Sequence, residues 1–324
     1  MEVRQNKPFA LGIDLGGTKI AVGLCRGEQI EKKIVTPTPA NSGPEAVINA
    51  MIKAAREAMT GIESSEVAGV GVGAAGQIDP KTGEVIYAPN LYWNHVPLAE
   101  KLKAGLSLPV KVVNDVRAAT IAEYRYGSGR GLSDFVNIFV GTGIGSGFVL
   151  NGKLLDGATN SAGEIGHICL ETDGPPCGCG KKGCFEVFSS GRGMERYVMT
   201  QLVHGVKSSI NDIVEGDPRK VTGKVIGMAA REGDELALAT LRRAGMYLGL
   251  AIANVHTMLN PQRIALGGGV MALREFIMPS LIEAMEKHIL PVALRDNIVV
   301  MAACEEDAAV IGSAALFCAT HPGR

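Results

Sequence analysis

The chain has 324 residues, of which 46% are hydrophobic, and its 32 basic and 33 acidic residues give a formal net charge of −1. This composition predicts a globular protein with a large buried core, and the length predicts about two domains. The balanced charge argues against nucleic-acid binding and favours small-molecule ligands. No signal sequence and no run of about 18 apolar residues is evident, so we expect a cytoplasmic protein that does not contact membranes.

The first predicted element is a strand from Phe9 to Ile13 that resumes from Ile20 to Leu24 after a turn. The turn contains Asp14, Gly16, Gly17, Thr18 and Lys19. Consecutive N–H groups without Cβ atoms form a nest for anionic oxygens, so this turn is predicted to bind phosphate. Asp14 is interpreted either as a magnesium ligand, directly or through water, or as an Asx cap of the turn.

A helix is predicted from Pro44 to Met59 and a buried strand from Val67 to Val72. The glycines that follow match the spacing of a dinucleotide-binding turn: Gly71, Gly73 and Gly76. Such a turn opens a helix, whereas the prolines and glycine between Gln77 and Asn90 exclude one, so nicotinamide binding is not expected. Gly76 is instead predicted to let the backbone approach a sugar ring.

Asn114 and Asp115 follow a predicted strand, Pro109 to Val113, and precede a predicted helix, Arg117 to Tyr126. They therefore lie at the carboxyl end of a strand, where open α/β sheets bind ligands. The local sequence allows two interpretations of Asp115. It is either the N-cap of the helix or a general base that accepts a hydroxyl proton during phosphoryl transfer.

A second strand, turn and strand unit repeats the first one. Its strands are predicted from Phe135 to Val140 and from Phe148 to Leu150, and the turn between them contains Gly141, Thr142 and Gly143. This repeat suggests an internal duplication with one α/β domain per copy. Three elements are predicted further along: a long helix from Asp234 to Leu259, a strand from Arg263 to Leu266 that leads into Gly267, Gly268 and Gly269, and a small-residue helix from Asp307 to Cys318 that packs on the first domain.

Four metal-ligand residues lie within 18 residues of one another: His167, Cys177, Cys179 and Cys184. Four soft ligands with no open position favour tetrahedral structural zinc, with disulfides or buried thiols as alternatives. A closed site cannot hold a reactive water, so the zinc is interpreted as a support for Glu164, His167 and Glu186. Once zinc binds one ring nitrogen of His167, the other nitrogen can donate a hydrogen bond.

Six motifs occur in an order that resembles the ROK sugar kinases (repressor, open reading frame, kinase). They are GIDLGGTK from Gly12, VVND from Val112, GTGIGSG from Gly141, EIGH from Glu164, CGCGKKGCFE from Cys177 and LGGGV from Leu266. The family belongs to the actin, hexokinase and heat-shock ATPase fold group. The resemblance implies a two-domain α/β fold with a cleft, in which residues 1–118 and about 305–324 form a small domain and 119–304 a large one.

The resemblance also implies site roles. ATP phosphates, with Mg²⁺, would be held by both glycine turns, and adenosine would lie near Gly267 and Gly268. Asp115 would be the base, and the sugar hydroxyls would contact Asn114, Glu164, His167 and Glu186. Family members are commonly homodimers or homotetramers.

The segment APNLYWNHVPL, from Ala88 to Leu98, most resembles bacterial ATP-dependent glucokinases. We therefore expect phosphorylation of glucose at its 6-hydroxyl, with Asn90 at the sugar, and N-acetylhexosamine kinases (ManNAc or GlcNAc) as the alternative. Trp93 either lines one side of the sugar site or packs in the core. ROK regulators without kinase activity carry an added helix-turn-helix, and the first strand near Phe9 leaves no room for one.

Overall fold

The computed structural model describes residues 9–318 and divides them into two compact units. The first unit contains residues 9–133, 147–162 and 302–318, and the second contains residues 134–146 and 163–301. The boundary expected from the sequence places all of 119–304 in the second domain. The observed division differs because the segment after residue 118 continues a helix that packs within the first unit.

Strands predominate in the first unit and helices in the second. In chain order the strands are β1 (Phe9–Leu15), β2 (Lys19–Arg26), β3 (Gln29–Pro37), β4 (Val67–Ala74), β5 (Gln77–Ile78), β6 (Val85–Ala88), β7 (Trp93–Val96), β8 (Val110–Asn114), β9 (Phe135–Val140), β10 (Ile144–Leu150), β11 (Lys153–Leu154), β12 (Arg263–Gly267) and β13 (Val299–Met301). The helices are α1 (Pro44–Ala58), α2 (Leu98–Leu106), α3 (Asp115–Arg125), α4 (Glu186–Ser189), α5 (Gly191–Val203), α6 (Ile210–Ile213), α7 (Gly223–Arg231), α8 (Glu235–Leu259), α9 (Arg274–His288) and α10 (Ala308–Ala315).

The main sheet of the first unit has the strand order β3-β2-β1-β4-β8. β1 is antiparallel to β2 and parallel to β4, and β4 is parallel to β8. The register places Asp14 opposite Gly73 and Ala74 opposite Asn114. The carboxyl ends of three neighbouring strands therefore meet at one edge of the sheet, and this edge carries Asp14 and Asn114.

Helix α10 packs against β1, β4 and α3 through glycines. A Cβ atom on Gly12 would lie 1.9 Å from the carbonyl oxygen of Val310, and one on Gly71 would lie 1.8 Å from that of Ser313. A Cβ on Gly312 would lie 1.7 Å from the carbonyl oxygen of Ala118. Backbones this close leave no room for a side chain. Gly71 therefore serves helix packing, and the predicted packing of this helix on the first domain is what the structure shows.

The second five-stranded sheet has the order β11-β10-β9-β12-β13, and β12 is parallel to both β9 and β13. Helix α8 packs along α9, where Gly245 and Gly249 bring the two backbones together. By length and composition α8 is the one described helix that could cross a membrane. Since 67% of its most apolar 18-residue stretch is buried inside the protein, α8 is a core helix.

Candidate functional site

The first glycine turn is held by backbone hydrogen bonds and by Thr38. The N–H of Gly16 donates to the carbonyl oxygen of Lys19 at 3.0 Å, and that of Thr38 donates to Thr18 at 3.0 Å. The Thr38 hydroxyl also donates to the carbonyl oxygen of Gly16 at 2.8 Å. Thr38 follows β3, so nothing in the local sequence of the turn pointed to it.

Gly17 and Asn90 lie against each other. A Cβ atom on Gly17 would be 3.0 Å from the carbonyl oxygen of Asn90 and 3.2 Å from its Cβ. The structure therefore brings Asn90, predicted at the sugar, beside the turn predicted to bind phosphate. Any larger residue at position 17 would have to displace the backbone at Asn90.

Asp14 lies within β1 and pairs with Ala21 and Gly73, so the Asx-cap interpretation was wrong. Burial raises the pKa of Asp14 to about 6, and the nearby negative charge of Asp115 adds to the shift while Lys19 opposes it. Two carboxylates that interact in this way attract a cation or share a proton. Asp14 therefore stays a candidate magnesium ligand.

Asn114, rather than Asp115, caps α3. The Asn114 Oδ1 atom accepts hydrogen bonds from the N–H groups of Val116 at 3.0 Å and Arg117 at 3.3 Å, and its Nδ2 donates to the carbonyl oxygen of Gly76 at 3.3 Å. The N-cap interpretation of Asp115 was therefore wrong. Burial raises the pKa of Asp115, although its Oδ1 accepts a hydrogen bond from the N–H of Val116 at 2.9 Å. A carboxylate with a raised pKa at a helix start is suited to accept a proton.

The structure also shows what packs around Gly76 and Trp93 in the first unit. Gly76 has φ +143°, and a Cβ there would lie 2.5 Å from the carbonyl oxygen of Tyr87. The backbone of β6 thus lies so close to Gly76 that this position requires a glycine. Trp93 is 1% exposed, which confirms the packing interpretation and rules out a tryptophan wall for the sugar.

The second glycine turn is anchored on the start of α5. The carbonyl oxygens of Gly141 and Thr142 accept hydrogen bonds from the N–H groups of Gly191 at 2.8 Å and Arg192 at 3.3 Å. Gly268 has φ +92°, and a Cβ there would lie 2.5 Å from the carbonyl oxygen of Val140. Gly267 and Gly268 therefore lie beside the strand end that leads into Gly141, as two parts of one phosphate or nucleotide site would.

Glu186 connects the second turn to the metal-ligand residues. Its Oε2 accepts a hydrogen bond from the N–H of Ile144 at 3.1 Å, and its Oε1 lies 3.7 Å from the Cys177 sulfur. The carbonyl of Ile144 in turn packs on Gly166, where a Cβ would come within 2.3 Å of it. Gly166 belongs to the short 3-10 turn Ile165–His167, which follows the exposed Glu164.

The four predicted metal ligands converge: one ligand atom from each of His167, Cys177, Cys179 and Cys184 lies within 4.8 Å of all the others. The Cys177 sulfur is 3.6 Å from His167 Nδ1, and the Cys179 and Cys184 sulfurs are 3.6 Å apart. A tetrahedron with zinc–sulfur bonds of about 2.3 Å has edges of about 3.8 Å, close to these separations. All seven cysteines are free thiols, so the residues fit a four-ligand metal centre and not a disulfide pair.

Side chains from two helices hold the metal-ligand loop in place. The Tyr247 hydroxyl on α8 donates to a carboxylate oxygen of Glu171, and Arg196 Nη1 on α5 donates to the carbonyl oxygen of Pro176 at 2.7 Å. The Tyr247 ring stacks on Phe188 with 4.1 Å between centroids. Because these contacts join the loop to the unit's core, a metal bound here would be fixed relative to Glu186.

Comparison with known proteins shows the family of the chain. A family model described as the ROK family matches residues 10–320. A glucokinase of Streptomyces coelicolor is 36% identical over 266 residues, covering 81% of this chain and 82% of the relative. A glucokinase of Thermotoga maritima is 34% identical over 312 residues, covering 95% of this chain and 96% of the relative.

The fold also matches solved structures. The crystal structure of a ROK family glucokinase from Streptomyces griseus, in complex with glucose and AMPPNP, has a TM-score of 0.81 and 33% identity to this chain. The match covers 95% of this chain and 98% of that one.

Proposed function

Because the chain belongs to the ROK family, we propose that it transfers the γ-phosphoryl group of ATP to the 6-hydroxyl of glucose. It is a hexokinase-type phosphotransferase with the actin/hexokinase-like fold. The observation that carries the proposal is the arrangement at the start of α3. Asn114 satisfies the helix N–H groups there, so the adjacent Asp115 carboxylate, whose pKa is raised by burial, is not needed as a cap.

Asp115 acts as the general base of the transfer. As the sugar 6-oxygen forms its bond to the γ-phosphorus, the bond from that phosphorus to the β-bridging oxygen breaks and ADP leaves. The hydroxyl proton moves to Asp115. Positioned carboxylates of this kind contribute roughly 10²–10⁴-fold to a rate.

The two glycine turns hold the phosphates of ATP. In the first unit, the turn is provided by Gly16, Gly17, Thr18 and Lys19. In the second unit the corresponding residues are Gly141, Thr142 and Gly143, with adenosine near Gly267 and Gly268. Mg²⁺ bound with ATP supplies charge neutralisation of the phosphates. Asp14, whose carboxyl interacts with Asp115, is the residue placed to hold it directly or through water.

The sugar hydroxyls contact residues that other contacts already hold in place. Asn114 is fixed as the helix cap, Asn90 packs on Gly17, and Glu186 is bonded to Ile144. Gly76, Glu164 and His167 complete the set. Zn²⁺ at the four-ligand centre is structural, and with His167 Nδ1 facing the sulfurs, Nε2 is the nitrogen left to donate to a hydroxyl.

The acceptor is tested by comparing kcat/KM for glucose, GlcNAc and ManNAc with Mg-ATP. A pocket built to hydrogen-bond the 2-hydroxyl rejects an acetamido group because of both the clash and the lost bonds. We expect glucose to be preferred, and a preference of about tenfold or more for an acetamido sugar would replace glucokinase with an N-acetylhexosamine kinase. Polyphosphate in place of ATP tests the donor in the same assay.

We also propose a cytoplasmic location and a homodimeric or homotetrameric assembly. The seven free cysteines are in keeping with a reducing compartment. Light scattering on the purified chain measures the assembly directly.

A further inference from the structure

Arg117 connects α3 with the loop that follows β11. It lies two residues after Asp115 in the first turn of the helix and is 5% exposed. Its Nη1 donates to side-chain oxygens and its Nη2 to backbone carbonyl oxygens. The acceptors are Asp156 Oδ1 at 2.7 Å, Asn160 Oδ1, and the carbonyl oxygens of Leu155 at 3.2 Å, Asp156 at 3.2 Å and Ala162 at 3.3 Å.

The loop that these contacts hold, residues 155–162, contains no helix or strand. It is folded back on itself, because the N–H of Ala162 donates to the carbonyl oxygen of Asp156 at 3.2 Å. Asn160 has φ +60°, and its Nδ2 donates to the carbonyl oxygen of Ile78 at 2.9 Å. Five acceptors in eight residues converge on one guanidinium, so the shape of the loop depends on Arg117.

The loop leads directly into the segment that carries proposed sugar contacts. Ala162 is followed by Gly163 and Glu164, and the carbonyl of Gly163 accepts a hydrogen bond from the Ser146 hydroxyl. Contacts within each unit thus hold the chain on either side of the Ala162–Gly163 bond. Arg117 makes the contacts on the side of the loop.

We propose that Arg117 is a positioning residue for sugar binding, and this inference rests on the proposed function. It does not touch the substrate. It fixes the loop 155–162, whose Asn160 side chain donates to the carbonyl of Ile78, two residues after Gly76. The carbonyl of Gly76 accepts the hydrogen bond of the proposed sugar contact Asn114.

Arginine is required here for a geometric reason. Its planar fork presents several N–H donors at fixed angles and can meet five acceptors, whereas a lysine ammonium is a single point with three donors. The Arg117 side chain is 7% exposed and Asp156 is 63% exposed, so the buried charge is compensated by the uncharged oxygens of the loop as well as by the Asp156 carboxylate. A lysine at this position would leave several of these oxygens without a donor.

The experiment measures kcat and the KM values for glucose and ATP in Arg117→Lys and Arg117→Ala. We expect the glucose KM of both variants to rise about tenfold or more while the ATP KM stays within about twofold. Misplacement of a binding group weakens the binding of the ligand that this group contacts. Arg125→Ala is the matched control. It removes an arginine of the same helix that donates to the carbonyl of Ala315, and it should leave the glucose KM unchanged.

Asn160→Gly provides a second route if the Arg117 variants do not fold. It keeps the left-handed backbone and removes only the side chain that joins Arg117 to Ile78, and it should also raise the glucose KM selectively. Hydrogen exchange of the amides from 155 to 167, measured without substrate, should be faster in Arg117→Lys than in the wild type.

Unchanged exchange together with an unchanged glucose KM in Arg117→Lys and Asn160→Gly would overturn the inference. Equal increases in the KM for glucose and ATP would also overturn it, since they indicate general loosening. A wild-type protein that does not phosphorylate glucose would overturn the proposed function instead, and the exchange experiment would still test whether Arg117 holds the loop.

Discussion

The carboxylate of Glu186 is hydrogen-bonded to the backbone N–H of Ile144 at 3.1 Å, directly after the second glycine turn. The same carboxylate lies 3.7 Å from the sulfur of Cys177, a predicted metal ligand. Glu186 therefore links the predicted metal centre to the glycine turn.

The first prediction concerns the metal. The purified protein should contain about one zinc per chain, and Cys179→Ser should lose it together with most of the glucose affinity. Elemental analysis and calorimetric titration with glucose are the measurements. Cys169→Ser is the matched control, because Cys169 lies in the same loop but its sulfur is not one of the four converging ligand atoms. Its sulfur is directed at the carbonyl of Lys182, 3.8 Å away. Metal-free protein with full activity would contradict the structural role.

The second prediction concerns the base. Asp115→Asn should lower kcat by about 100-fold or more and leave glucose binding nearly unchanged, because the amide keeps the shape of the carboxylate and loses its basicity. Steady-state kinetics and a binding titration separate the two effects. The exposed Asp212, changed to Asn, is the control. Retention of half of the wild-type kcat would exclude Asp115 as the base and direct attention to Glu164.

The third prediction concerns stability and pH. Burial raises the pKa of Asp14 to about 6, so the folded state prefers the protonated carboxyl. The stability that this group contributes is complete below its unfolded pKa of 3.8 and is lost as the pH rises through 6. Asp14→Asn should therefore be more stable than the wild type at pH 7.5, by about 1–3 kcal/mol, and the difference should shrink at pH 4.5.

Urea unfolding of both proteins at the two pH values measures this difference. The same variant should lose most of its kinase activity, because an amide is a poorer magnesium ligand than a carboxylate. A variant that is less stable than the wild type at pH 7.5 would show that Asp14 is not held in an unfavourable charged state there.

The fourth prediction concerns the packing of α10. Gly71→Ala should reduce the free energy of unfolding by about 1–3 kcal/mol or more, because its Cβ would collide with the carbonyl oxygen of Ser313. Thermal and urea unfolding are the measurements. Gly223→Ala is the control, since no atom lies within 4 Å of the added methyl group and the backbone there is not left-handed. Equal effects of the two substitutions would contradict the packing argument.

The sequence was sufficient to predict the elements that are marked by a local residue pattern. The strand Phe135–Val140 was predicted with its observed bounds, and the helix predicted from Asp234 begins at Glu235 with Asp234 as its cap. The four predicted metal-ligand residues also converge in the structure.

Interactions between distant segments could not be predicted in this way. The glycine pattern from Gly71 looked like a nucleotide motif, although its cause is a helix some 240 residues further on. Strand β3 was missed because an edge strand with alternating exposed residues has a weak apolar signal. The acceptors of Arg117 lie 38 to 45 residues away, and no local pattern marks such contacts.

The glycine-lined contact of α10 with β1 and β4 can form only after the whole second unit has been synthesised. A ribosome delivers β1 and β4 early, and all the residues of the second unit emerge before α10 does. Until then the two strands present an uncovered face on which another chain could dock. The first unit therefore completes its packing only at the end of synthesis, and its uncovered strands are an aggregation-prone surface until then.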